Sequence, residues 1–196
     1  MFSLYMGIAA FVLYLIYDIN SFAWQRKIFH SFFLLGTGFL GVATGLDLWA
    51  AWYSGAVSGV GDSLLLVAAG ICFVMLIYSL FFALPFQETY TRQNTGRQVY
   101  SDGVYALCRH PGILCFFGVY LMLGLAALPS RMIVHGLIFS ALNLAYAWFQ
   151  DCVTFPKTFC DYSDYKEKVP FLIPTKHSVS MAYRTLFSAQ NEEDAP

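Results

Sequence analysis

Apolar and polar positions alternate along this chain in blocks, not residue by residue. Five apolar runs, at 2–17, 31–53, 63–84, 113–128 and 132–149, have the length and apolarity to span or nearly span a bilayer. The first and fourth are short and need flanking residues of mixed polarity to complete them. Trp24, Trp52, Tyr53 and Trp148 fall at interfacial depth. The pattern predicts an all-α polytopic membrane helix bundle of about five transmembrane helices with a cytoplasmic C-terminal helix. No positive segment precedes the first run and no small-residue cleavage site follows it before Asp18, so it reads as a retained span.

Within span two, Gly36, Gly38, Gly41 and Gly45 mark a small-residue face, and the Gly41-x-x-x-Gly45 pair predicts close approach of a neighbouring helix. The segment 86–111 is too long for a simple connector. Asn94-Thr95-Gly96 and Ser101-Asp102-Gly103 are turn signals, so the chain should fold back before span four. After span five, Pro156 should end or kink the helix near Phe155 and open a short surface helix. On that helix Phe155, Phe159, Tyr162 and Tyr165 share a face, and Tyr162 and Tyr165 read as packing residues. Residues 1–176 form one domain; residues 177–196 are polar and read as a disordered tail.

Charge fixes an orientation. Eleven Lys and Arg are present, and five spans place all but Arg131 on one side, so the N-terminus should lie outside and the long loop and C-terminus in the cytoplasm. Apolar residues make up 58% of the chain and charged ones 12%, which is membrane-protein composition. A net charge of −1 leaves no basic face for nucleic acid. Cys72, Cys108, Cys115, Cys152 and Cys160 form no C-x-x-C pair and read as free thiols, with no metal site. Asp47 and His135 lie inside spans near the outer face, and a mutual contact or an Asp47 to Arg131 contact of structural purpose is expected.

Candidate chemistry gathers where the long loop enters span four, in Asp102 to Gly118. Arg109 and His110 are the last titratable side chains before the apolar run, and Pro111 suits the first turn of a helix. Open N–H groups beyond it, beside a guanidinium, suit a carboxylate or phosphate.

The segment GVYALCRHPGI at 103–113, then Gln150-Asp151, then Tyr162-x-x-Tyr165-x-x-x-Val169-Pro170, resembles the isoprenylcysteine carboxyl methyltransferase family and the related phospholipid N-methyltransferases. The similarity covers roughly 97–174. It implies an S-adenosylmethionine-dependent membrane methyltransferase with a lipid, prenylated or small hydrophobic acceptor entering from the bilayer. By matching position, Arg97, Gln98, Val99, Tyr100, Tyr105, His110, Pro111, Gly112 and Ile113 would line the cofactor. Asp151 falls on the second glutamate of the family's acidic pair and would contact the cofactor, with Arg109 and Asp151 as the functional charged residues. The chain departs from the family at Ile113, Cys115 and Phe159, and Tyr146 stands where one branch has a substrate-linked basic residue. Two other readings stand beside this one: an NADPH-dependent sterol-type reductase, whose similar Arg-His-Pro segment continues differently, and a non-catalytic protein on the same scaffold.

Overall fold

A computed structural model describes residues 1–83, 97–128 and 130–193, with side chains described through Thr185 in the last helix. Among these residues the chain is helical: α1 Phe2–Ile19, α2 Phe32–Tyr53, α3 Val60–Ile77, α4 Val104–Leu107, α5 Pro111–Ala126, α6 Met132–Phe149, α7 Phe155–Thr158, α8 Tyr162–Lys168 and α9 Lys176–Glu193. The turn signal at Asn94-Thr95-Gly96 lies outside the described residues.

Wider, π-helical turns at Asn20–Trp24, Tyr78–Phe82 and Gln150–Thr154 extend α1, α3 and α6. With them, four helices are long and apolar enough to cross a membrane: Phe2–Trp24, Lys27–Tyr53, Val60–Phe82 and Met132–Thr158. At about 1.5 Å per residue each exceeds the roughly 30 Å hydrocarbon core. The sixteen-residue α5 is shorter, near 24 Å. Exposed apolar side chains such as Leu34, Trp49, Leu64 and Val67 suit a lipid surround. This is an all-α, multi-pass membrane protein.

Two compact units divide the chain, one formed by Met1–Phe73 and Cys115–Thr154, the other by Val74–Leu114 and Phe155–Pro196. In the first unit α1 buries Ser3, Gly7, Ala10, Phe11, Tyr14 and Asp18, each three or four positions from another of the set, on a single face. Gly7 lies against the Phe139 ring of α6, so closely that no Cβ would fit. Gly124 of α5 gives the same clearance to Ile133, whose Cα would stand 2.9 Å from an added Cβ. Small residues of this kind let helices approach where lipid offers no hydrophobic drive. In α2 the close contact falls at Gly36, against Tyr14 and the Ala10 carbonyl. Gly41 and Gly45, expected to pack, face open space together with Gly38. The reason is angular: Gly36, Ala43, Asp47 and Ala51 turn inward on α2, and positions 38, 41 and 45 point elsewhere.

The expected contact of Asp47 is present in both forms. Its carboxylate, with no exposed side-chain surface, accepts from Ser3 Oγ at 2.7 Å and Arg131 Nε at 2.9 Å, and meets His135 Nδ1 at 2.6 Å. Three helices, α1, α2 and α6, are tied at that carboxylate.

In the second unit Tyr162, Tyr165 and Val169 form a buried cluster against which Val99, Phe155, Phe159 and Met181 pack. The face read from the sequence is the face that is buried. The helical break differs from the expected one: a π turn at Gln150–Thr154 comes first, and Pro156 sits in the second position of α7. Proline has no N–H for the Cys152 carbonyl four residues back, and the wider turn just before it accommodates that loss.

The tail also differs from the expectation. Residues 176–193 are helical, not disordered. Ser178 and Thr175 bond reciprocally, Thr175 N to Ser178 Oγ at 2.9 Å and Ser178 N to Thr175 Oγ1 at 3.1 Å, which caps the helix start. Ser178 and Ala182 are buried, and Thr185 Oγ1 accepts the Gly103 N–H at 3.0 Å. Composition alone hid this because the helix depends on α4 for its partner.

Candidate functional site

The polar-to-apolar junction of the second unit starts at Gly103, whose backbone (φ 59°, ψ −127°) belongs to a region that favours glycine. One turn, α4, follows. Cys108 is extended and wholly buried, and Pro111 then occupies the first position of α5, as its missing N–H favours. The Ile113 N–H bonds the His110 carbonyl at 3.1 Å, so one of the donors expected to be open is used within the first turn.

Arg109 is held at backbone and side chain alike. Its N–H donates to the Pro170 carbonyl at 2.9 Å, and its Nη1 donates to the carbonyls of Lys166 at 2.8 Å and Val169 at 3.1 Å. These carbonyls are at the C-terminal end of α8, where a cation complements the helix dipole. The guanidinium also lies 5.7 Å from the Phe171 ring centre. The guanidinium expected to meet a ligand carboxylate thus donates its Nη1 to backbone carbonyls of the chain itself.

His110 is buried between two aromatic rings. Phe155 stacks on it at 5.7 Å and 14°, and Phe171 meets it at 4.9 Å and 60°. Tyr105 donates its hydroxyl to the Ser79 carbonyl at 2.7 Å, inside the π turn Tyr78–Phe82, and its own carbonyl accepts from Tyr165 Oη at 2.7 Å. A Cβ added at Gly112 would meet Leu76 of α3 and Ser79 and Leu80 of the π turn at ordinary contact distance. Ile113 is buried.

The segment 97–100 runs beside 159–161. Arg97 and Phe159 form an isolated bridge, Cys160 N–H donates to the Arg97 carbonyl at 3.0 Å, and Val99 N–H donates to Asp161 Oδ1 at 2.9 Å. Gln98 is exposed, and the Tyr100 ring meets Tyr105 edge-on at 6.4 Å. All the expected cofactor-lining residues from 97 to 113 therefore belong to one unit. Asp151 belongs to the other, buried in the π turn Gln150–Thr154.

That unit also holds a carboxylate the sequence reading passed over. Asp18, 4% exposed at the end of α1, has the side chains of Gln150, Tyr146 and Thr154 as its polar neighbours. Residues 146, 150 and 154 recur every four positions, so they present one helical face to Asp18, and Asp151 stands about 100° around the axis. The signal was available: Asp18 is the only charged residue in the span Phe2–Trp24.

No family model matches the sequence, no curated protein matches it, and no solved structure matches the fold.

Proposed function

We propose that the chain is an S-adenosylmethionine-dependent membrane methyltransferase acting on a lipid, prenylated or small hydrophobic acceptor at the cytoplasmic membrane edge. It crosses the bilayer five times, α5 included, with the N-terminus outside and α9 in the cytoplasm. The positive-inside distribution of Lys and Arg supports that orientation, and modest thinning or tilt accommodates a short span.

One observation carries the reading. Two parts of the composite motif, 103–113 and 162–170, are joined by hydrogen bonds, among them Arg109 N–H to Pro170, Arg109 Nη1 to Lys166 and Val169, and Tyr165 Oη to Tyr105. The third motif part, Gln150-Asp151, belongs to the first unit, but two of the three parts that carry the resemblance are thus also one spatial unit. Its chemistry fits the cofactor: an imidazole between aromatic rings, two tyrosine rings at Tyr100 and Tyr105, and the start of α5 beside them. When bound, S-adenosylmethionine supplies an already electrophilic methyl group, so neither a metal nor a covalent nucleophile is required. The protein's own tasks are to hold the donor, aim the acceptor and keep water out. His110, fixed by Phe155 and Phe171, presents its ring in one orientation for the first of these.

Calorimetric titration of the purified protein with S-adenosylhomocysteine and with NADPH tests the reading. S-adenosylhomocysteine should bind, and His110→Ala should weaken it by about one to two orders of magnitude, the scale of one charge-assisted hydrogen bond. Binding of NADPH alone would shift the assignment to a reductase; binding of neither would leave a scaffold without this chemistry.

A further inference from the structure

The turn between α1 and α2 presents cations that the chain itself does not neutralise. Arg26, Lys27 and His30 are exposed there, and among the described residues no carboxylate forms an ion pair with any of them. Asp18, the nearest carboxylate along the chain, is buried and has Gln150, Tyr146 and Thr154 as its hydrogen-bond partners, so it does not answer that charge.

Exposed cations at a membrane edge are common; a turn fixed as firmly as this one is less so. Asn20, only 1% exposed, accepts the Arg26 N–H on its side-chain oxygen and donates its side-chain amide to the Arg26 carbonyl, while the Gln25 N–H bonds the Asn20 carbonyl. Gln25 is left-handed (φ 52°), the one non-glycine residue to be so among those described. Such a backbone persists where its surroundings over-determine it. Arg26 and Lys27 therefore leave a fixed main chain, and a ligand that meets both has less ordering to supply.

Position selects the ligand. Phe2–Trp24 and Lys27–Tyr53 are each long and apolar enough to cross a membrane, and the turn joins their ends, which puts it at head-group depth. Trp24 and Ile28 are exposed beside the cations, with the Trp24 ring 5.5 Å from that of Phe29. Arginine and lysine suit a phosphodiester, and an indole with an aliphatic neighbour suits the boundary between head group and acyl chain. A soluble anion would use the first feature and not the second.

We infer that the α1–α2 turn is a site for one anionic phospholipid, its phosphate on Arg26 and Lys27 and its glycerol and upper acyl region against Trp24 and Ile28. The site shares no residue with 97–113 and goes beyond the methyltransferase reading: the lipid is a bound companion of the fold and not the acceptor.

Native mass spectrometry of delipidated protein, titrated with phosphatidylglycerol and separately with phosphatidylcholine, tests the site. Phosphatidylglycerol should saturate as a single tight adduct, and phosphatidylcholine should bind more weakly. Arg26→Gln combined with Lys27→Gln should weaken phosphatidylglycerol about 10- to 30-fold, the scale of two charges at a membrane surface. The turn should survive this change, because Asn20 holds the backbone of Arg26 and not its side chain. If the double variant does not fold, each single substitution carries the test at about 5-fold. Lys168→Gln combined with Lys176→Gln removes the same charge from other exposed positions and should leave the affinity unchanged. Equal weakening by the two pairs would mean a general attraction of charge and would overturn the site, as would equal binding of the two lipids. Excess inorganic phosphate should not displace the bound lipid; displacement would make the turn a soluble-anion site and overturn the lipid assignment.

Discussion

Replacing Arg109 by alanine separates a strut from a ligand contact. The side chain loses two hydrogen bonds from Nη1 to the Lys166 and Val169 carbonyls, together with its place over Phe171. Hydrogen bonds from a charged donor contribute roughly 1.5–3 kcal/mol apiece when buried. Arg109 is only half-buried, so screening reduces that range, and about 2 kcal/mol for the side chain as a whole is a fair expectation. A loss of about 2 kcal/mol is about a 30-fold rise in local opening. The affected region is α8 and the strand-like stretch after it, because those carbonyls close its C-terminal end. Native-state hydrogen exchange followed by mass spectrometry would read peptides covering 162–170, with peptides from α6 as the internal control. The 162–170 amides should exchange about 30-fold faster, α6 should be unchanged, and Arg109→Lys should fall between, since an ammonium keeps the charge but not the planar fork. If exchange in 162–170 is unaltered while S-adenosylhomocysteine affinity collapses, the strut is wrong and Arg109 is a ligand residue after all.

Two further outcomes are expected. Asp47→Asn should destabilise the first unit by about 3–5 kcal/mol, the usual scale when a buried ion pair loses one partner, visible as a lower thermal midpoint in detergent; a shift within experimental error would mean that Ser3, Arg131 and His135 are satisfied without it. On the five-span topology Ser58→Cys and Lys176→Cys, introduced singly into a cysteine-free background, should be labelled by an impermeant maleimide from opposite sides of the membrane, and labelling from one side refutes that topology.

The membrane character of the chain is legible because it rests on runs of residues, and a run survives any arrangement of its neighbours. Asp47 with His135 and Arg131 was also readable, since ionisable groups inside spans at similar depth have few other partners. What the sequence hid depends on distant chain. The contact of Arg109 with the α8 carbonyls could not be read, because α8 comes more than fifty residues later. Gly41 and Gly45 form a motif by spacing, yet the inward face of α2 is set by Asp47 and Ala43. The run 2–17 looked short because Asp18 and Asn20 interrupt it; the π turn carries the helix on to Trp24, with Asn20 bonded through its side chain to the Arg26 backbone at 2.8 and 3.1 Å. A polar residue that ends an apolar run on paper is here one that the fold encloses.

The π turn at Tyr78–Phe82 has a consequence for how this sequence can vary in length. Such a turn holds one more residue than an α-helical turn would, so it behaves as an insertion carried inside a helix. Deleting one residue from 78–82 would be the natural way to restore a regular helix, and it would look conservative, since the segment would stay apolar and helical. Yet it would turn the described helical residues beyond the deletion by about 100° relative to those before it. A deletion at Tyr78 would turn the Ser79 carbonyl away from the Tyr105 hydroxyl, and Tyr105 is the residue whose own carbonyl receives Tyr165. Point substitutions at Leu80 or Phe81 should be tolerated far better than any change of length there, so the segment's count of residues is constrained more tightly than their identity.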